Sequence, residues 1–142
     1  MTLVDTSAWV EFLRDTGSHV CLALDRLLDD DLAVCDAVLM EVLAGARDER
    51  HLGQLRGLLG RATMLSTTPQ DYETAAMLFR TCRAQGETVR KLIDCLIAAV
   101  AVRHDAAILH ADSAFSTLAR CADIPVHPAS TQRPPRRPRS AP

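Results

Sequence analysis

Short apolar runs alternate along the chain with longer stretches whose apolar positions recur every three or four residues. Residues 2–5 read as a short strand, and the chain then turns helical through about Arg14, with Thr6 or Ser7 available as the cap. Val20, Leu24, Leu27 and Leu28 share one helical face. Leu32-Ala33-Val34-Cys35 is a second buried strand. Asp36 is the expected cap of the next helix, which carries Glu41, and Gly45 is its expected stop. Leu52, Leu55, Leu58 and Leu59 mark a further amphipathic helix, and residues 63–66 a third strand. Thr68-Pro69-Gln70-Asp71 combines a capping hydroxyl, a proline at the first helical position and an acid at the third. Its helix is expected to bury Tyr72, Ala75, Ala76, Phe79 and Cys82 and to end at Gly86. From about Arg90 to His104 the pattern is apolar nearly all round, as in a central buried helix. A buried strand at Ala107–Ala111, a short helix at 114–121 and an edge strand at Ile124-Pro125-Val126 complete the series.

Strands alternating with helices or helix pairs predict a three-layer α/β fold with a mainly parallel central sheet flanked by helices. The 142 residues suit one domain with one core. That domain is expected over residues 1–127. Residues 128–142 form a Pro/Arg-rich tail with no apolar periodicity, expected to be disordered.

Composition narrows the class. At 48% hydrophobic and 24% charged the chain is ordinary for a globular protein, and with 4% aromatics its core must be aliphatic. No apolar run reaches the roughly 18 residues of a membrane span. The N-terminus lacks the basic-then-apolar order of a signal peptide, so a cytoplasmic location is expected. Cys21, Cys35, Cys82, Cys95 and Cys121 are odd in number and without C-x-x-C spacing, which favours buried free thiols over disulfides or zinc. The tail carries four of the 16 basic residues and no acid, which leaves 12 bases against 18 acids in the body. An acidic body is unsuited to a polyanion unless its acids hold metal.

Four carboxylates interrupt apolar runs: Asp5 after Leu3-Val4, Glu41 within Val38-Leu39-Met40-Glu41-Val42-Leu43, Asp94 within Leu92-Ile93-Asp94-Cys95-Leu96-Ile97, and Asp112 after Ile108-Leu109-His110-Ala111. A buried charge is costly unless compensated, and no Lys or Arg is interleaved in the first, second or fourth run. A shared divalent cation is the economical partner. In parallel α/β sheets, ligands bind beyond the carboxyl ends of the strands, where Asp5 and Asp112 are expected. Helices following strands start at that rim, which brings in Glu41 and Asp94. Each acid has a plainer role open to it: Asp5 and Asp112 as helix caps, Glu41 as a solvated helical residue, Asp94 as the partner of Arg90. The chain contains no P-loop, no Ser-His-Asp order and no HExxH spacing among its five histidines. Acids alone match metal-assisted phosphodiester hydrolysis.

These residues resemble the PIN-domain ribonucleases, and among them the VapC-type toxins of toxin–antitoxin pairs. The likeness rests on Val4-Asp5-Thr6-Ser7-Ala8-Trp9, Met40-Glu41-Val42-Leu43-Ala44-Gly45, Gly86-Glu87-Thr88-Val89-Arg90 with Ile93-Asp94-Cys95-Leu96-Ile97-Ala98-Ala99, and His110-Ala111-Asp112-Ser113-Ala114-Phe115. The resemblance implies that Asp5, Glu41, Asp94 and Asp112 are catalytic and bind Mg²⁺ or Mn²⁺. It implies that Thr6 and Ser7 orient the Asp5 carboxylate or a water, with Arg90 as a candidate phosphate contact. It also implies an RNA substrate such as tRNA or another structured RNA, a homodimer, and a cognate VapB-type antitoxin. Family members often carry a further acid two residues after the last Asp; here that position is Ala114, so a two-metal set would lack one ligand.

Rival classes fit less well. A haloacid-dehalogenase phosphatase wants a second Asp where Ser7 stands, and a response-regulator receiver wants a lysine near the last strand, whereas Lys91 is the chain's only lysine. A PIN-like nuclease acting on single-stranded DNA or RNA outside a toxin system, and a non-catalytic PIN-like binding module, are the alternatives that metal titration and paired RNA and DNA substrates would separate.

Overall fold

Strand β1 (Thr2–Val4) is only three residues long, yet it lies at the heart of the molecule. In the computed structural model, which describes residues 1–131, it pairs in parallel with β2 (Leu32–Cys35) on one side and β4 (Ala107–Leu109) on the other. β3 (Thr63–Leu65) pairs in parallel with β2, so the sheet order is β3-β2-β1-β4. Leu3, Val4, Ala33, Val34, Ile108 and Leu109 are fully buried, which is why these strands read as unbroken apolar runs. On β3, Thr63 and Met64 are exposed, as befits an edge.

The connections are α1 (Thr6–Leu13) and α2 (His19–Leu27) from β1 to β2, α3 (Asp36–Ala44) and α4 (Glu49–Leu59) from β2 to β3, and α5 (Pro69–Ala84) and α6 (Leu92–Arg103) from β3 to β4. α7 (Ser113–Ala122) follows β4. α1 packs on α2 and α5 on α6, while α3 touches both α1 and α6. This is the expected α/β arrangement of a parallel sheet flanked by helices. α6 is the most buried helix: Cys95 and Ile97 through Ala101 are essentially inaccessible. Four cysteines are buried and Cys121 is half-buried, and all five are free.

Local departures have physical causes. Asp5, not Thr6 or Ser7, caps α1, because its carboxylate accepts the Ser7 backbone N–H. Cys35 occupies the cap position of α3. Asp36 falls inside its first turn and instead accepts the Thr67 backbone N–H at 3.1 Å, tying down the loop before α5. α6 begins at Leu92 rather than Arg90. On α5 the buried face is shifted: Asp71, Ala75 and Cys82 are buried, whereas Tyr72 is 62% exposed. Asp71 is held at the buried face by Arg103 at the end of α6, through paired contacts of 2.9 Å, Nε to Oδ1 and Nη2 to Oδ2, and by the Thr68 backbone N–H, which donates to its Oδ2 at 2.8 Å.

The segment at 124–126 forms a single parallel bridge, Ile108 to Val126, rather than a strand. Pro125 has no N–H to donate, and its carbonyl accepts from Ile108 at 3.0 Å. The chain does not leave the domain at residue 128: Pro128–Thr131 form a 3₁₀ turn with Ala129 buried, and Ser130 Oγ accepts the His110 N–H at 2.9 Å. The remainder of the expected tail, residues 132–142, lies outside the described residues. Among the described residues no helix is long and apolar enough to cross a membrane.

Candidate functional site

All strands run the same way, so their carboxyl ends share one rim, and β1 and β4 are neighbours on it. The Asp5 N–H donates to the Leu109 carbonyl at 3.0 Å, placing Asp5 beside the exit of β4. Asp112 follows three residues later as the cap of α7, its Oδ1 accepting the Ala114 N–H at 2.9 Å. Glu41 lies midway along α3, which starts at the end of β2. Asp94 is the third residue of α6. The four expected acids thus meet, lining one cleft of about 270 Å³ together with Thr6 and Ser7. The capping roles of Asp5 and Asp112 are real, and they coexist with the cleft. A cap at the start of a helix that follows a strand points into the rim by construction.

The two hydroxyls hold the acids in place. Ser7 Oγ donates to Asp5 Oδ2 at 2.6 Å and accepts the Ala111 N–H at 2.9 Å, so it bridges the exits of β1 and β4. Thr6 Oγ1 donates to Glu41 Oε1 at 2.8 Å, joining α1 to α3 across 35 residues of sequence. Asp5, Glu41 and Asp112 each keep one carboxylate oxygen with no hydrogen bond among the described residues, and Asp94 keeps both.

Electrostatics single out Asp94. It is 6% exposed, and its carboxyl is pushed up from 3.8 to about 7, first by burial, then by the charges of Asp5 and Asp112, with Glu41 adding less. Lys91 opposes this shift. Asp5, 3% exposed, is also raised, chiefly by burial and against the hydrogen bonds from Ser7, with Glu41 adding repulsion. The acids therefore disfavour one another's ionised forms. The alternative pairing of Arg90 with Asp94 does not form among the described residues; Arg90 is exposed, before the start of α6. Ala114, in place of a fifth acid, contributes its backbone N–H to Asp112.

The donor set is all oxygen, which suits a hard divalent cation. In this conformation no three His, Cys, Asp or Glu side chains among the described residues close around one point. The hydrogen bonds from Thr6, Ser7 and Ala114 each engage one oxygen of Glu41, Asp5 and Asp112 and leave the other without a hydrogen bond among the described residues.

Two cleft residues were not anticipated. Glu11 lies one helical turn beyond Ser7 on α1, a spacing that puts it on the same face, so the signal was present. Lys91 precedes the Asp94 helix, and only its uniqueness as a lysine marked it.

Comparison with known proteins agrees with this geometry. The PIN domain model matches residues 2–120. A VapC ribonuclease of Mycobacterium bovis and Ribonuclease VapC11 of Mycobacterium tuberculosis are each 41% identical over 128 residues, covering 87% of this chain and 96% of theirs. The crystal structure of VapBC2 from Rickettsia felis bound to a promoter DNA fragment superposes with a TM-score of 0.73 at 17% identity, covering 89% of this chain and 96% of that one. The chain belongs to the PIN domain family, and within it to the VapC-type proteins.

Proposed function

We propose that this chain is the ribonuclease toxin of a toxin–antitoxin pair, hydrolysing RNA phosphodiester bonds in the cytoplasm with Mg²⁺ or Mn²⁺ held by Asp5, Glu41, Asp94 and Asp112. The observation that carries this reading is Asp94: a carboxylate 6% exposed, without a hydrogen bond among the described residues, facing three other acids. The ionised form of such a group is unfavourable in a folded protein unless a cation is its partner. Two relatives at 41% identity are named ribonucleases, which supports RNA as substrate, with tRNA or another structured RNA as the class. Solved neighbours are described as VapBC and FitAB complexes, which supports an antitoxin partner.

When bound, the cation supplies charge neutralisation at the phosphate and activation of water. The chain's own residues do the rest. Ser7 fixes the Asp5 carboxylate through Oδ2 and leaves Oδ1 free for the cation. Thr6 restrains Glu41 on the opposite wall. Burial and the neighbouring acids push the Asp94 carboxyl up to about 7, and a cation held beside it would favour its ionised form. The antitoxin is expected to cover this rim and to present an Arg to the carboxylates in place of the metal. A homodimer of the toxin is the expected assembly.

The test is cleavage of RNA and of single-stranded DNA of one sequence, with Mg²⁺ or Mn²⁺ and with chelator. RNA cleavage that disappears in chelator is the expected result. Undiminished cleavage in chelator overturns the metal mechanism, and preferential cleavage of DNA overturns the substrate. Co-expression with the product of the adjacent gene tests the toxin assignment: absence of both a complex and growth rescue removes it.

A further inference from the structure

The acid cleft is flanked by two recesses of opposite character, with Asp112 in the wall of all three. On one side a recess of about 490 Å³ carries Glu11, His19 and several serines, with no Lys or Arg among the described residues in its wall. On the other a recess of about 330 Å³ lies between the loop before α6 and the first turns of α7. Its wall offers Arg90, Lys91, Thr88, Ser113 and Thr117. Lys91 and Asp94 line both this recess and the acid cleft, and Lys91 is the one cation among the described residues in the cleft's wall. Neither Lys91 nor Arg90 makes an ion pair among the described residues, and both are exposed. Two exposed cations outside any ion pair among the described residues, with three hydroxyls, thus stand where the recess opens onto the acid cleft, and Asp94 and Asp112, which it shares with that cleft, are the acids beside them.

We propose that this recess is the subsite for the RNA phosphate adjacent to the scissile one, and that Lys91, at its junction with the acid cleft, is a positioning residue. The proposal rests on the nuclease reading of the acid cleft. A strand bound to acids alone would be repelled wherever the cation is not, so the neighbouring phosphate needs a cationic site of its own. The opposite recess does not supply one, because Glu11 and Asp112 line it and no Lys or Arg among the described residues does. The backbone therefore continues toward the α6–α7 side, away from the recess lined by Glu11.

Lys91 makes no side-chain capping bond on α6, so Lys91→Met has no structural reason to unfold the protein. The decisive measurement is binding of a short fluorescent single-stranded RNA as a function of salt. It is made on the Asp5→Asn form, so that cleavage does not intervene, with and without Lys91→Met. Loss of one phosphate contact lowers the slope of log K against log salt by about 0.7, and weakens binding equally for different sequences. Lys91→Arg should restore slope and affinity. In the cleaving protein, Lys91→Met should raise KM about tenfold with a smaller change in kcat, a loss of ground-state positioning. An unchanged slope, with altered metal affinity alone, overturns the subsite and leaves Lys91 as a counter-charge to Asp94. Absence of RNA binding by the parent protein overturns it too. Binding with the predicted slope change but no cleavage overturns the nuclease reading instead.

Discussion

Replacing Asp94 by Asn separates a metal ligand from a structural acid, because the two roles predict opposite changes in stability. In the folded protein the Asp94 carboxyl is raised from 3.8 to about 7 by burial and by Asp5 and Asp112. A raised carboxyl favours the folded state fully below pH 4 and progressively loses that contribution as pH climbs through about 7. At about 1.4 kcal/mol per pH unit the full shift corresponds to about 4 kcal/mol. Counterions and side-chain rotation in an open cleft reduce this, so a difference of about 1–2 kcal/mol is expected. Asp94→Asn cannot ionise. In chelator it should match wild type near pH 4 and exceed it at pH 8, by roughly 3 °C in melting temperature for each kcal/mol. With Mg²⁺ at ten times its dissociation constant, wild type should gain about 1.4 kcal/mol and the variant much less. Melting curves at both pH values, with chelator and with Mg²⁺, decide the matter. A variant less stable than wild type in chelator at pH 8, with an undiminished response to Mg²⁺, would refute the shared-cation site.

Other substitutions probe the remaining parts. Asp5→Asn should lower RNA cleavage at least about a hundredfold, roughly 3 kcal/mol of transition-state stabilisation, in a single-turnover assay. Ser7→Ala removes the link between Asp5 and Ala111, and should cost about 1 kcal/mol of stability together with about tenfold in rate, read by denaturant unfolding and by kcat. Asp71→Asn should lower the melting temperature yet leave metal-dependent cleavage intact. The Arg103 hydrogen bond and charge hold the Asp71 carboxyl below its usual range despite burial, so its contribution exists above pH 4 and fades as pH falls below that. Truncation before Pro128 removes buried Ala129 and the Ser130 contact to His110, and should lower the melting temperature by several degrees; truncation after Thr131 removes neither contact and serves as its control in calorimetry.

Much of this protein is legible from its amino-acid order, because backbone periodicity and local capping are properties of neighbouring residues. The buried strands at Thr2–Val4 and Leu32–Cys35, the Thr68-Pro69-Gln70-Asp71 helix start and the near-uniform burial of the Asp94 helix all follow from spacing and side-chain type. The four acids were visible for the same reason: a charge inside an apolar run is a local anomaly. What the order of residues left open was whether they meet. That depended on β1 and β4 becoming neighbours, which places Asp5 against Leu109 and lets Ser7 reach Ala111 across 104 residues. The same holds for Arg103, which pairs with Asp71 on the buried side of α5 while Tyr72 is exposed, and for Ser130, which holds the chain against His110 where low apolar content predicted release. Such contacts pair groups whose partners lie in distant elements, and their energies arise only once the sheet has brought those elements together. Local sequence thus determined which residues are unusual, and the parallel sheet decided which of them share a rim.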